Sequence, residues 1–212
     1  MSNDNAPRRA LVVIDVQNEY FAGGGLPIEY PPIEDTLPNV LRAMDAARAA
    51  GTPVVVVQHH APKGAPVFQA DQHNGQLHPE VASRPHDHLI TKALPSVFAG
   101  TDLADWVARH EVDTLSVIGY MTQNCDASTV YEALHRGLKV EFLSDASGAL
   151  PYENAAGKAS AEEIHRVLGV VFHSNFAAVT TTSEWIAALQ AGQALDKDNV
   201  VLSSRRARGL AG

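Results

Sequence analysis

The sequence predicts a single α/β domain in which helices cover both faces of a parallel sheet. Two observations carry this. Short, continuous, β-branched runs recur along the chain: ALVVIDV (10–16), PVVVVQHH (53–60) and TLSVIGY (114–120). Runs of this length and composition suit strands buried on both faces. Between them lie helix-period segments with start and stop signals, and strands alternating with helices build a parallel sheet with helical layers. With 45% apolar and 19% charged residues, the chain has material for a core and lacks the bias of a disordered one.

The elements follow in order. Asp15 interrupts the first run near its end, and QNEYFAGGGLPIEYPP then reads as a loop. A helix is expected over 36–50, with Thr36 as N-cap, Pro38 in the first turn and Gly51 as the stop. After the second strand, 61–88 is a long stretch rich in Pro, Gly and His, a length that in a compact domain marks a functional loop or an unsettled one. HLITK (88–92) is a short strand, and 102–110 a short helix with Thr101 as its cap. The third strong strand leads into a helix over 122–137 closed by Gly137, then a strand over 138–146. Ser160 and Glu163 have capping-box spacing at the head of SAEEIHRVLG, as do Thr181 and Glu184 after the strand at 176–181. Residues 8–190 therefore form the domain, and 191–212, without a core pattern, read as a C-terminal tail.

A net charge of −8 opposes nucleic acid as a partner, because phosphate binding needs a basic face. One cysteine forms no internal disulfide and suits a reducing compartment. Asp15 breaks the only apolar run near the N-terminus, so no signal peptide is expected. No stretch approaches the ~20 apolar residues of a membrane span. The expectation is a soluble, cytoplasmic protein with neither nucleic acid nor membrane as partner.

In open parallel sheets, ligands gather at the carboxyl ends of the strands. Asp15, Lys92 and Cys125 each lie at or just beyond such an end. Two readings of Cys125 stand. With Thr122 as N-cap, the thiol falls at the third helical position, where free N–H groups and the helix dipole favour thiolate, the nucleophilic form. Asp126 next door works against thiolate. The other reading is a small buried hydrophobe. Asp15 within a β-branched run is costly unless it is paired or at the sheet's mouth; capping a nearby loop is its alternative role. Lys92 alone reads as a surface lysine, but an Asp–Lys pair beside a thiol supplies a base for the thiol proton and a cation to hold that base. The six histidines His59, His60, His73, His78, His86 and His88 have irregular spacing that matches no compact ligand pattern. They read as loop and pocket residues, with no metal and no cofactor expected.

DVQNEYF with Asp15, TKALPSVFAGTDL with Lys92 and GYMTQNCDAST with Cys125 resemble, in order, the three signature segments of the isochorismatase-like cysteine hydrolase superfamily. SDASGAL (144–150) and APVFQADQHNGQLHPEV resemble further segments of it, so the likeness spans about 8–190. The resemblance implies a three-layer α/β/α sandwich around a mostly parallel sheet of about six strands. It implies Cys125 as nucleophile, Asp15 as general base and Lys92 as the partner of Asp15. It also implies a cis peptide at Tyr120–Met121 that aims the N–H groups of Met121 and Cys125 at a carbonyl oxygen. The implied reaction is hydrolysis of a small-molecule amide through a thioester, and the implied assembly is a homodimer or homotetramer.

Three departures matter. Asp126 stands where many relatives carry Val. QHHAPKG lacks the carboxylate of the metal-binding nicotinamidases, which lowers both the metal and the nicotinamide readings. A complete triad favours amide hydrolysis over the vinyl-ether cleavage of true isochorismatases. That cleavage remains one alternative, and a non-catalytic thiol sensor on the same fold is another. Expected substrate-pocket walls are Gln17, Phe21, His60, Phe98, Tyr120 and Tyr152, any of which equally suits the core; the 61–88 loop covers this site or a neighbouring subunit's.

Overall fold

The computed structural model describes residues 6–210. The first five residues and the last two of the expected tail lie outside the described residues. Six strands form one parallel sheet in the order β3-β2-β1-β4-β5-β8: β1 (Arg9–Ile14), β2 (Val54–His59), β3 (His88–Lys92), β4 (Thr114–Tyr120), β5 (Lys139–Gly148) and β8 (Ala178–Thr180). Between β5 and β8 lies an antiparallel hairpin of β6 (Tyr152–Asn154) and β7 (Gly157–Ala159), which the sequence reading did not foresee.

β1 shows why the continuous apolar runs became central strands. Ala10, Val12 and Ile14 join Trp106, Val130 and Phe172 on one face. Leu11 and Val13 join Val40, Met44 and Trp185 on the other. The second face is covered by α1 (Ile33–Ala49) and α6 (Thr182–Ala191), with Val81 of the single-turn α2 (Pro79–Ala82) beside them, and the first by α3 (Leu103–Arg109) and α4 (Ala127–His135), with Leu168 of α5 (Ala161–Val171) packed against it. This is the expected three-layer sandwich. Both capping boxes, Ser160–Glu163 and Thr181–Glu184, are formed with both of their reciprocal hydrogen bonds. At the far end of the sheet from the strand mouths, the buried Arg9–Glu141 ion pair, 2.7 Å long, also receives Ser116 Oγ and Trp185 Nε1 on the Glu141 carboxylate. The added donors satisfy oxygens that burial would otherwise strand.

Two expectations need correction. α1 starts at Ile33, three residues before the expected cap. The Thr36 hydroxyl is instead turned inward to Tyr120 Oη at 2.8 Å, and Pro38 lies in the second turn. Thr122 does not cap a helix either: its hydroxyl is taken by Gly148 O and His165 Nδ1, and Thr122–Asp126 forms a π-helical turn before α4. In the expected tail, Val200–Ala207 forms a short helix, α7, with no buried residue. The tail's lack of a core pattern therefore reflects a helix that lies outside the core.

The chain order reverses between β1 and β4, and this is where crevices open in such sheets. Gly119 adopts φ +115° there, and a Cβ on it would lie 2.1 Å from Ile14 O. Only glycine lets the two central strands close to this distance. No helix among the described residues is long and apolar enough to cross a membrane.

Candidate active site

Asp15, Lys92 and Cys125 meet at the mouth of the sheet. β1 ends at Ile14, and Asp15 follows at φ +50° while its N–H still donates to Val57 O. This left-handed backbone is uncommon outside glycine. It stops the strand while the residue stays fully buried. Lys92 closes β3, in register with His59 at the end of β2. Its Nζ lies 2.6 Å from Asp15 Oδ2, 3.2 Å from Cys125 Sγ and 3.2 Å from His59 Nδ1. An ammonium has three donors, and here each faces one acceptor.

The electrostatics follow from burial. Burial pushes the Asp15 carboxyl above its ordinary range, and the Lys92 charge and hydrogen bonds from Lys92 and Cys125 offset only part of this. Burial pulls Lys92 down, but the Asp15 and Cys125 charges outweigh it and hold the ammonium above the usual lysine value. Burial and then the Asp15 charge push the Cys125 thiol well up, against the pull of Lys92. One of the two sequence readings of Cys125 had a helix start favouring thiolate. The thiol sits instead in a buried π-turn beside a carboxylate, where burial and the Asp15 charge both oppose thiolate.

His59, which the sequence reading named only among the loop and pocket histidines, is a fourth participant. Burial, followed by the Lys92 and His60 charges, lowers its pKa to about 4, so a neutral imidazole accepts from Lys92. Its signal was positional: the last residue of one strand stands opposite Lys92, the last of the next. Donor atoms of Asp15, His59 and Cys125 all lie within 4.8 Å of one another, which is a metal-sized cluster. The Lys92 ammonium is within 3.2 Å of all three and takes the place a metal ion would need. The other histidines disperse: His88 pairs with Asp102 and stacks on Trp106, and His78 stacks on Phe21.

The Tyr120–Met121 peptide is cis and leads directly into the cysteine turn. The wall residues divide. Phe21 lies against Tyr120 at 6.2 Å between ring centroids, and the half-exposed Tyr152 points its hydroxyl at Met121 Sδ, 3.7 Å away. Tyr120 is fully buried, and the N–H of His60 donates to Lys92 O. Tyr20 and Phe68, which the sequence reading passed over, are core residues whose rings pack against each other, Tyr120 and His59 behind the site. Two residues are placed otherwise than expected. Gln17 is fully buried, with its amide spent on His59 O, Gly75 O and His59 N–H, which makes it a brace for the neighbouring loop. Phe98 sits in the core under the Arg136 guanidinium, 4.9 Å from its ring centroid. A separate groove of about 540 Å³, lined by Tyr30, Ser144, His165, Val170 and His173, includes none of the triad.

The model of the isochorismatase domain family matches residues 9–184, and the chain belongs to this family of hydrolases. A crystal structure of a presumed isochorismatase from Burkholderia xenovorans LB400 is 59% identical, with a TM-score of 0.95 over 96% of this chain and 98% of that one. The secreted isochorismatase effector Isc1 of Verticillium dahliae is 31% identical over 77% of this chain and 87% of its own length. The nicotinamidase of Escherichia coli is 30% identical over 66% of this chain and 82% of its own.

Proposed function

We propose that this chain is a cysteine amidohydrolase of small amides. The observation that carries the reading is the Lys92 ammonium, buried and within 3.2 Å of both a carboxylate and the only thiol. The likeness to a nicotinamidase supports an amide substrate. As sulfur attacks the amide carbon, Asp15 takes the thiol proton. The carbonyl electrons move to oxygen, which the N–H groups of Met121 and Cys125 receive. The oxyanion collapses, the C–N bond breaks, and Asp15 gives its proton to the departing nitrogen. Asp15 then deprotonates water, which adds to the thioester. Collapse releases a carboxylic acid, and the sulfur regains its proton from Asp15. Lys92 stays charged throughout and His59 stays neutral. Phe21, Tyr152 and His60 form the substrate wall, which the fully buried Tyr120 backs from the core, and its aromatic character suits a planar amide.

A panel of small amides, nicotinamide included, tests this by release of ammonia or amine. Turnover that vanishes in Cys125→Ala, with an acyl-enzyme seen by intact mass, is the expected result. No turnover of any amide, or turnover that survives in Cys125→Ala, rejects it. The similarity to an isochorismatase effector favours vinyl-ether hydrolysis as the second reading. It predicts activity on isochorismate that survives Cys125→Ala and is lost in Asp15→Asn.

The same reading takes residues 8–190 as the catalytic domain and 191–212 as a tail, in a homodimer or homotetramer working in the cytoplasm. Light scattering that returns a monomer mass rejects the assembly.

A further inference from the structure

The Thr122 hydroxyl and the His165 ring have no part in the mechanism above, yet they meet at the base of the cysteine turn. Thr122 lies directly after Met121, on the turn that ends in Cys125 and Asp126. It is fully buried, and its Oγ1 lies 3.1 Å from Gly148 O and 2.9 Å from His165 Nδ1. Within the turn, the N–H groups of Asn124 and Asp126 both return to Met121 O. Side chains tie it outward: Gln123 Nε2 donates to Leu150 O at 2.8 Å, and Thr122 joins β5 to α5.

Both anchors of Thr122 are themselves fixed. Gly148 pairs with Tyr120 across β4 and β5, and a Cβ on it would lie 2.5 Å from Ile28 Cγ2. His165 is 6% exposed, and its ring packs on those of Tyr30 and Phe142, with 5.8 and 6.2 Å between centroids. The same Tyr30 exchanges backbone hydrogen bonds with Ala149, beside Gly148. A proton count then sets the direction of the chain. A hydroxyl has one proton, and a carbonyl only accepts. With the Thr122 proton on Gly148 O, its oxygen is left to accept, and His165 must supply an Nδ1–H. Burial lowers the imidazole pKa to about 4, with the Ser144 carbonyl pulling the other way, so at neutral pH the ring is uncharged and has one N–H to give.

We propose that His165 is a positioning residue for the oxyanion site: its Nδ1–H fixes the Thr122 hydroxyl on Gly148 O, and this chain holds the Met121 N–H in place while charge develops on the substrate oxygen. An apolar side chain would fill the same space without orienting the hydroxyl. The proposal rests on the reading of Cys125 as nucleophile and of the Met121 and Cys125 N–H groups as the oxyanion site.

The test has two arms. Histidine-selective ¹⁵N NMR at neutral pH reads the tie directly, and the signal lost in His165→Asn assigns the ring. Protonation at Nδ1, with signals that shift in Thr122→Val, is expected. Protonation at Nε2, or signals indifferent to Thr122→Val, overturns the proposal. The second arm measures how well benzaldehyde protects Cys125 from iodoacetamide. In protection the S–H adds across the aldehyde C=O: an S–C bond forms, the C=O π bond opens, and the thiol proton passes to the oxygen held by the turn. His165→Leu is expected to weaken protection by about tenfold or more, and His165→Asn, whose amide N–H can stand where Nδ1–H stood, to keep it within about threefold of wild type. Because the ring acts through the hydroxyl, adding His165→Leu to Thr122→Val should cost nothing further. Full protection in His165→Leu, no rescue by His165→Asn, or losses that multiply in the double variant overturn the proposal. Wild type that turns over no amide and gains no protection from benzaldehyde rejects the amidohydrolase reading, and the NMR arm still decides the tie. That arm does not use His165→Leu, so it also decides if this variant fails to fold.

Discussion

Asp15→Asn is expected to stop amide hydrolysis and, at the same time, to make Cys125 easier to alkylate. The two effects have opposite signs because Asp15 has two roles. As general base it accounts for about 10²–10⁴-fold of rate, and an amide cannot replace it. As a negative charge beside the thiol it is, after burial, the largest cause of the raised Cys125 pKa. Removing it leaves Lys92, which pulls the other way. Alkylation against pH, followed by intact mass, should therefore show wild type titrating above the ~8.5 of a free cysteine and the variant titrating lower. An unchanged or higher value in the variant would mean that the Asp15 charge is not felt at the sulfur. The acid limb of hydrolysis should likewise lie above the ordinary carboxylate range, because the base must be ionised and burial raises its pKa.

Lys92→Met is expected to be the most destabilising change at the site, by about 3–5 kcal/mol, the range for breaking a buried ion pair from one side. Asp15 is fully buried and would lose its cation. Adding Asp15→Asn removes the orphaned charge, so the double variant should recover much of the loss in urea unfolding. A double variant that is simply the sum of the two single losses would show that the pair is not coupled. The pH dependence has a definite sign. The folded state holds the Lys92 proton more tightly than the unfolded chain does. Its contribution is complete below the ordinary lysine value of ~10.4 and is lost as pH rises through the higher folded value. Alkaline unfolding should therefore be steeper in wild type than in Lys92→Met.

The parts of this site legible in the sequence were those fixed by local pattern. β-branched runs gave the strands, and their ends gave Asp15, Lys92 and Cys125. Ser160 with Glu163 and Thr181 with Glu184 gave two helix starts to the residue. What stayed hidden depends on which strands become neighbours. His59 meets Lys92 only because β2 and β3 pair in one particular register. Gln17 reads as a pocket residue from its place after Asp15, yet its amide is claimed by backbone groups 42 and 58 residues away. Thr36 and Thr122 have the chemistry of caps, but Tyr120 in one case and Gly148 with His165 in the other claim their hydroxyls. Long-range partners overrode local propensity at each of these positions.

The anchoring of the 61–88 segment has a consequence for motion. Its regular structure amounts to a 3₁₀ turn at His73–Gly75 and a single helical turn at Pro79–Ala82, and such a stretch is ordinarily where a chain breathes. Here Gln17 and Gln58 both donate to Gly75 O, and the buried Glu19 carboxylate accepts from Phe68 N–H. Opening this segment would strand three buried side chains at once, so its amides are expected to be protected from exchange nearly as well as those of the strands. The exposed β6–β7 hairpin meets the cysteine turn through Tyr152, whose hydroxyl points at Met121 Sδ. Local opening is therefore expected to cost more on the histidine-rich side than at the hairpin, and amide hydrogen exchange of residues 61–88 against 152–159 reads the difference.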